Sequence, residues 1–431
     1  MPRTIRISPP ELREPRLETW TLKLRTITPM FGGSATPREV DPAHPVRAAS
    51  VRGHLRFWWR ATAGARYGSA KELFRAEEVI WGSDDRPGNV SIRILEASAS
   101  EPIPCCTYHH PQKGGGTVLK TYPYFGRYPG YALFPFQGKA RKDKRAGEVT
   151  VVEQPSKCLE SVEFTLCLSF PNHLKSQVEL AVALWVKLGG IGARTRRGCG
   201  SLEIVESSLP RSEVPQLSLD RKAGRLLTTV PTVCFLGQEQ DDGIRAWKEA
   251  VELYREFRQG KNFARDEGSD PKNPAKLGRS RYPEPDTIRK MFPQERWSHK
   301  AKHPVEGFPR ADLGLPIVFH FQEEGPRDEN FILKPSCEHR SRFASPVITK
   351  AIKTERGYSP AIIVLDSPHV WEVGNLTLSL GSDTKVVTEN LVNLDEWSRN
   401  QVPPLKEYGS KPIRQALKDF VKSRGFKEVP L

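Results

Sequence analysis

The 431-residue chain has no apolar run approaching the roughly 20 residues that a helical bilayer crossing needs, which excludes a helical membrane protein. Its first ten residues hold Arg3 and Arg6 with no apolar stretch behind them. A secretory leader is therefore not expected, and a cytoplasmic location is. Acidic charge is short: 51 Asp and Glu face 66 Lys and Arg, a formal net charge of +15. That excess favours a polyanionic partner, nucleic acid before membrane. The seven cysteines are odd in number and scattered, which suits reduced thiols and not a disulfide framework.

What is there is enough for two packed cores, since a chain this long exceeds the size at which one core keeps growing. Residues 20–27 alternate apolar Trp20, Leu22 and Leu24 with polar Thr21, Lys23 and Arg25, the pattern of a half-buried strand. A Pro and Gly turn follows at 28–33. Val51, Leu55, Trp58, Thr62 and Ala65 recur at spacings of three and four and mark one face of a helix. Strands are expected at 90–95 and 162–170. Leu174, Val178, Ala181, Val182, Trp185 and Leu188 mark a second helix, and a strand at 201–205 closes the set.

The order strand, helix, strand, strand, helix, strand is the ferredoxin-like signature, whose sheet keeps one face clear of helices and open to a ligand. A second, less regular round starts with a strand at 226–235 and a helix carrying Ile244, Trp247, Val251 and Tyr254. Strands at 316–322, 347–353 and 361–365 follow, its second helix is not apparent, and a terminal amphipathic helix spans 413–421. The expected fold is α+β: two ferredoxin-like (RRM-like) domains in tandem, 1–215 and 216–431, with basic loop insertions at about 101–154 and 260–310.

Two basic clusters suggest phosphate contacts. Between His44 and Arg75 the chain holds Arg47, Arg52, Arg56, Arg60, Arg66, Lys71 and Arg75 against Glu72 alone, and a merely solvated helix face would mix signs. The run 188–202 is rich in glycine and includes Gly190, Gly192, Arg194, Arg196, Arg197 and Gly198. It lies between a helix and the following strand and lacks the GK[ST] ending, so it is no nucleotide-binding P-loop. Its glycines permit positive φ, and its amides and guanidiniums could grip a phosphodiester backbone. In the first insertion an aromatic run at 122–136 precedes Lys139, Arg141, Lys142, Lys144 and Arg145, which suits stacking on unpaired bases beside a cationic strip.

The run 45–60, Pro-Val-Arg-Ala-Ala-Ser-Val-Arg-Gly-His-Leu-Arg-Phe-Trp-Trp-Arg, closely resembles the first-helix motif of the RAMP subunit numbered first in the Cmr, or type III-B, CRISPR effector. The 190–200 loop resembles the RAMP glycine-rich loop, 28–33 the turn after that family's first strand, and Arg342-Phe343-Ala344-Ser345-Pro346 a motif of its second half. The resemblance implies a non-catalytic subunit with no cofactor that holds CRISPR RNA and captures target RNA near the guide's 3′ end, for antiviral defence. Its implied partners are those two RNAs and the other RAMP subunits of the complex, with no membrane.

The alternative is a metal-independent endoribonuclease of RAMP type, with His44, His54, His109 or His110 as general acid or base. Cys105-Cys106-Thr107-Tyr108-His109-His110 invites a zinc reading, but adjacent side chains diverge, so four such ligands close a tetrahedron poorly.

Overall fold

A computed structural model of the protein describes residues 17–143, 147–208, 230–261, 263–268, 278–292, 297, 299–321, 330–337 and 341–430. Lys144, Arg145, the beginning of the strand expected at 226 and parts of 260–310 lie outside the described residues.

The first unit runs β1 (Leu17–Thr26), α1 (Ala48–Arg60), α2 (Ala70–Trp81) and β2 (Ser91–Ala99). The 101–154 insertion then contributes β3 (Thr107–Pro111), β4 (Thr117–Tyr124), β5 (Lys139–Lys142) and β6 (Val149–Glu153), before β7 (Val162–Pro171), α3 (Lys175–Leu188) and β8 (Leu202–Ser207). The four long strands form one sheet in the order β8-β1-β7-β2, antiparallel throughout. Trp20, Leu22 and Leu24 of β1 point inward with Phe164, Leu166 and Leu168 of β7. Against them lie Val51, Leu55 and Trp58 of α1 and Val178, Ala181 and Trp185 of α3, the residues whose spacing marked both helices. Each large side chain so buried stabilises by about 2 kcal/mol.

Helix α2 was not expected from the periodicity. Ser69 caps it by accepting from the Glu72 backbone N–H, a Ser-x-x-Glu start that the sequence does carry. The insertion also differs from a loop. It folds as two hairpins, β3–β4 and β5–β6, over a small core of Cys105, Cys106, Tyr128, Leu133, Phe136 and Cys158.

The second unit begins with β9 (Val230–Leu236) and α4 (Gly243–Gln259). It continues through β10 (Ile317–Phe319), β11 (Phe331–Pro335), β12 (Val347–Lys353), β13 (Tyr358–Asp366), β14 (Leu376–Leu380) and β15 (Asp383–Val387), and ends with α5 (Ile413–Ser423) and β16 (Lys427–Val429). Its main sheet has the order β12-β13-β9-β16, so α5 is the second helix of this round, leading into a closing strand that pairs with β9. The strand expected at 316–322 is not part of that sheet. β10 and β11 join β14 and β15 in a separate four-stranded sheet over its own core of Phe308, Phe319, Phe331, Leu333 and Leu378.

The two units are packed on each other through the helix-free face of the second sheet. Val347 to Ile352 are buried without alternation, because α4 covers one face of β12 and α3 the other. A strand covered twice reads as a continuous apolar run. The charged exception in that run is Lys350, whose fully buried Nζ donates to the Gly189 carbonyl at the C-terminus of α3, 2.8 Å away.

Candidate nucleic-acid interface

The glycine-rich loop is assembled against the turn that follows β1. Ala193 N donates to Phe31 O (2.6 Å), Gly200 N to Pro29 O (2.9 Å) and Ser201 N to Thr28 Oγ1 (2.9 Å), while Ile191 N closes on Gly200 O (2.9 Å). Gly192, Gly198 and Gly200 have φ of 77°, 77° and 62°, as the sequence suggested for a tight turn. These four amides face protein oxygens, not an open anion site.

The three arginines of the loop are also engaged. Arg194 Nε donates to Ala132 O at 2.6 Å, tying the loop to the insertion's core. Arg196 donates to the Ser345 carbonyl and lies 5.4 Å from the Phe57 ring centroid. Arg197 Nη1 donates to Val347 O at 2.8 Å and its guanidinium sits 4.8 Å from the Tyr254 ring. Trp247 Nε1 in turn donates to Arg197 O at 2.5 Å. Burial pulls the Arg196 guanidinium down to about 10, still charged at neutral pH. The loop expected to grip RNA is thus the staple between the two units. Arg196→Ala together with Arg197→Ala should cost about 2 kcal/mol, from two hydrogen bonds and two ring contacts, measured as a lowered midpoint in chemical denaturation.

The stripe on α1 divides in the same way. Arg56 and Arg60 both donate to Glu77 of α2, with Arg60 Nε at 2.7 Å from Oε2 and Nη2 at 2.7 Å from Oε1. Glu77 is buried, so it needs both cations. These two arginines are therefore neutralised within the fold rather than presented as unopposed charge. Arg52 is half-buried, and its Nε makes no hydrogen bond. Arg47 is exposed and donates to Gly33 O.

The helix-free face of the first sheet is polar and self-paired. Lys23 Nζ meets Glu163 at 3.1 Å and Glu206 at 3.9 Å, and Arg25 meets Glu203 at 2.8 Å. Among the described residues the aromatic rings of these strands, Trp20, Phe164 and Phe170, are all buried in the core, so this face has little for a base to stack on.

The insertion differs. Lys139, Arg141 and Lys142 are exposed on β5 and have no ion-pair partner among the described residues. No Asp or Glu occurs from 102 to 142, a segment that also holds Lys113, Lys120 and Arg127. The aromatic run splits by depth, with Tyr128 and Phe136 in the core and Tyr122, Tyr124 and Phe134 exposed.

The four candidate histidines fall on three different segments. His44 is exposed near Asp41, His54 lies half-buried over Trp185 with burial lowering its basicity, and His109 and His110 sit on β3. Cys105 and Cys106 point inward, towards the carbonyls of Phe136 and Gln137, while His109 is exposed. Among the described residues no group of three or more His, Cys, Asp or Glu is placed to hold a metal ion.

Residues 23–203 match the model of the RAMP superfamily. The first-helix run and the glycine-rich loop both fall inside that span, so the resemblance they carry holds. Two curated relatives, both from Pyrococcus furiosus, are similar. CRISPR system Cmr subunit Cmr1-2 is 28% identical over 184 residues, 42% of this chain and 92% of its own length. CRISPR system Cmr subunit Cmr1-1 is 28% identical over 167 residues, 38% of this chain and 41% of its own length, so the chain spans less than half of that second relative. Among solved structures, apo Cmr1 from Pyrococcus furiosus shares 16% identity at a TM-score of 0.44, covering 95% of this chain and 98% of that one. A chain of the type III-B Cmr-beta complex bound to cognate target RNA shares 12% at 0.43, covering 94% and 99%.

Proposed function

We propose that this chain, which carries a RAMP-superfamily domain over residues 23–203, is a non-catalytic RNA-binding subunit of a type III-B CRISPR effector. In this reading it works in the cytoplasm beside other RAMP subunits, holding CRISPR RNA and helping to capture target RNA near the guide's 3′ end. Both units are taken as ferredoxin-like, on the shared strand order and the two helices of each round. The observation that carries the RNA-binding part is the unopposed cationic strand of the insertion, Lys139, Arg141 and Lys142. Arg47 and Arg52 are proposed as further contacts. Arg56, Arg60, Arg194, Arg196 and Arg197 support the surface from within, as do Gly190, Gly192 and Gly198.

The experiment is a salt titration of affinity for unpaired RNA. Each phosphate contact removed from a single strand lowers the slope of log affinity against log salt by about 0.7, so Lys139→Ala, Arg141→Ala and Lys142→Ala together should lower it by about 2. Stability should move by less than about 0.5 kcal/mol, as these side chains pack on nothing. An unchanged slope would remove the strand from the interface.

A further inference from the structure

We propose that the β3–β4 hairpin carries a stacking platform for the unpaired bases of single-stranded RNA, built from His110, Tyr122 and Tyr124. The inference rests on the RNA-binding reading above and adds to it a second kind of contact, with bases instead of phosphates. Tyr122 and Tyr124 lie two residues apart at the end of β4, where its pairing with β3 shifts between Leu119 and Tyr124, and they are 55% and 42% exposed. His110 reaches across from β3. Its ring centroid is 4.7 Å from that of Tyr122 and 5.5 Å from that of Tyr124, and its Nε2 is held 2.8 Å from Tyr122 O. Lys120 lies beside them, with Nζ 3.0 Å from the Tyr122 hydroxyl and 5.3 Å from its ring.

Two exposed rings, a half-buried ring and a half-buried cation are therefore held side by side on a strand pair. A hairpin that used its tyrosines for its own stability would bury them, as the neighbouring Tyr128 is buried. The turn at the hairpin's tip is Gly114-Gly115-Gly116, around which nothing lies within 4 Å of where a Cβ would stand, so no described segment closes over it. β4 also passes within 8 Å of β5, the strand of Lys139, Arg141 and Lys142. Rings and cations next to each other match a single strand, whose bases and phosphates alternate in the same way.

The test uses the full chain and two probes of equal length, about 20 nucleotides, one ordinary single-stranded RNA and one with abasic positions. Tyr122→Ala with Tyr124→Ala should weaken binding of the ordinary RNA about 30-fold, the loss typical of one stacked base, with the salt slope unchanged. Affinity for the abasic strand should stay put. Tyr122→Phe with Tyr124→Phe keeps the rings and should bind like the unaltered protein. Photocrosslinks of the unaltered chain to RNA should map to Tyr122 or Tyr124, which keeps the question answerable if the Ala pair fails to fold. Crosslinks confined to other segments, or an equal loss on both probes, would overturn the platform while leaving the chain an RNA binder. If the unaltered chain binds neither probe, the RNA-binding reading falls and the platform with it.

Discussion

Gly198→Val should destabilise the protein by about 4 kcal/mol, seen as a large fall in the denaturation midpoint. Two costs combine. Gly198 has φ 77° and ψ 10°, a left-handed conformation that a β-branched residue adopts at a cost of about 2 kcal/mol. A Cβ there would also stand 2.6 Å from Thr349 O and 2.6 Å from the Trp247 ring, both in the second unit. Forcing atoms into a filled site costs about 2 kcal/mol more. Gly114→Val separates the two contributions, since Gly114 has φ 104° but nothing within 4 Å of its Cβ position. It should cost only the backbone share, and an equal fall for both variants would mean that the loop does not pack on the second unit.

That junction is where the sequence was least legible. The periodicities of α1 and α3 could be followed because each helix sets large apolar residues on one stripe, and nearly all of those residues are buried. The fate of the arginines could not. A guanidinium that donates to Ser345 O or Val347 O, some 150 residues away, has the same one-dimensional signature as one that waits for a phosphate. Glu77 shows the same difficulty on a shorter scale. It lies just past the window in which Glu72 was the only acid, yet it takes up two members of the basic stripe.

Distance along the chain also hid the second round of strands. Two insertions combine into the sheet β10-β11-β14-β15, which separates α4 from β12 and β13 from α5. The helix at Ile413–Ser423 was legible as a helix, but its place between β13 and β16 emerges only from pairing. In the insertion, alternation was masked by aromatic and basic residues that occupy both faces of short hairpins, with Tyr128 turned in and Tyr122 turned out. Lys139, Arg141 and Lys142 were legible because basic residues outnumber the single Asp143 in their stretch of sequence, and the fold brings them no ion-pair partner among the described residues.

Lys350 offers the second large effect, and it tests the packing of the two units through pH. Its ammonium is fully buried between α3 and the second sheet, with Gly189 O as its hydrogen-bond acceptor. Burial pulls it from 10.5 down to about 7. Above pH 7 the unfolded chain still holds this proton and the folded chain has lost it, so the unfolded state binds more protons and stability rises with pH. From about pH 8 upward the buried thiols of Cys158, Cys199 and Cys234, each pushed up to about 12, pull the other way, because the unfolded thiols ionise first. The clear window is therefore pH 7 to 8, across which Lys350 should add about 1 kcal/mol. Lys350→Met keeps the volume and removes the charge. It gives up the bond to Gly189 O, worth about 1 kcal/mol, but escapes the larger cost of stripping a proton from the lysine on folding. The variant should be more stable than the unaltered protein at pH 7 by about 2 kcal/mol, and its stability should be flat from pH 7 to 8. A slope that persists in the Met variant would place the titrating group elsewhere. A slope absent from both proteins would mean that water reaches Lys350 and that α3 does not seal the second sheet.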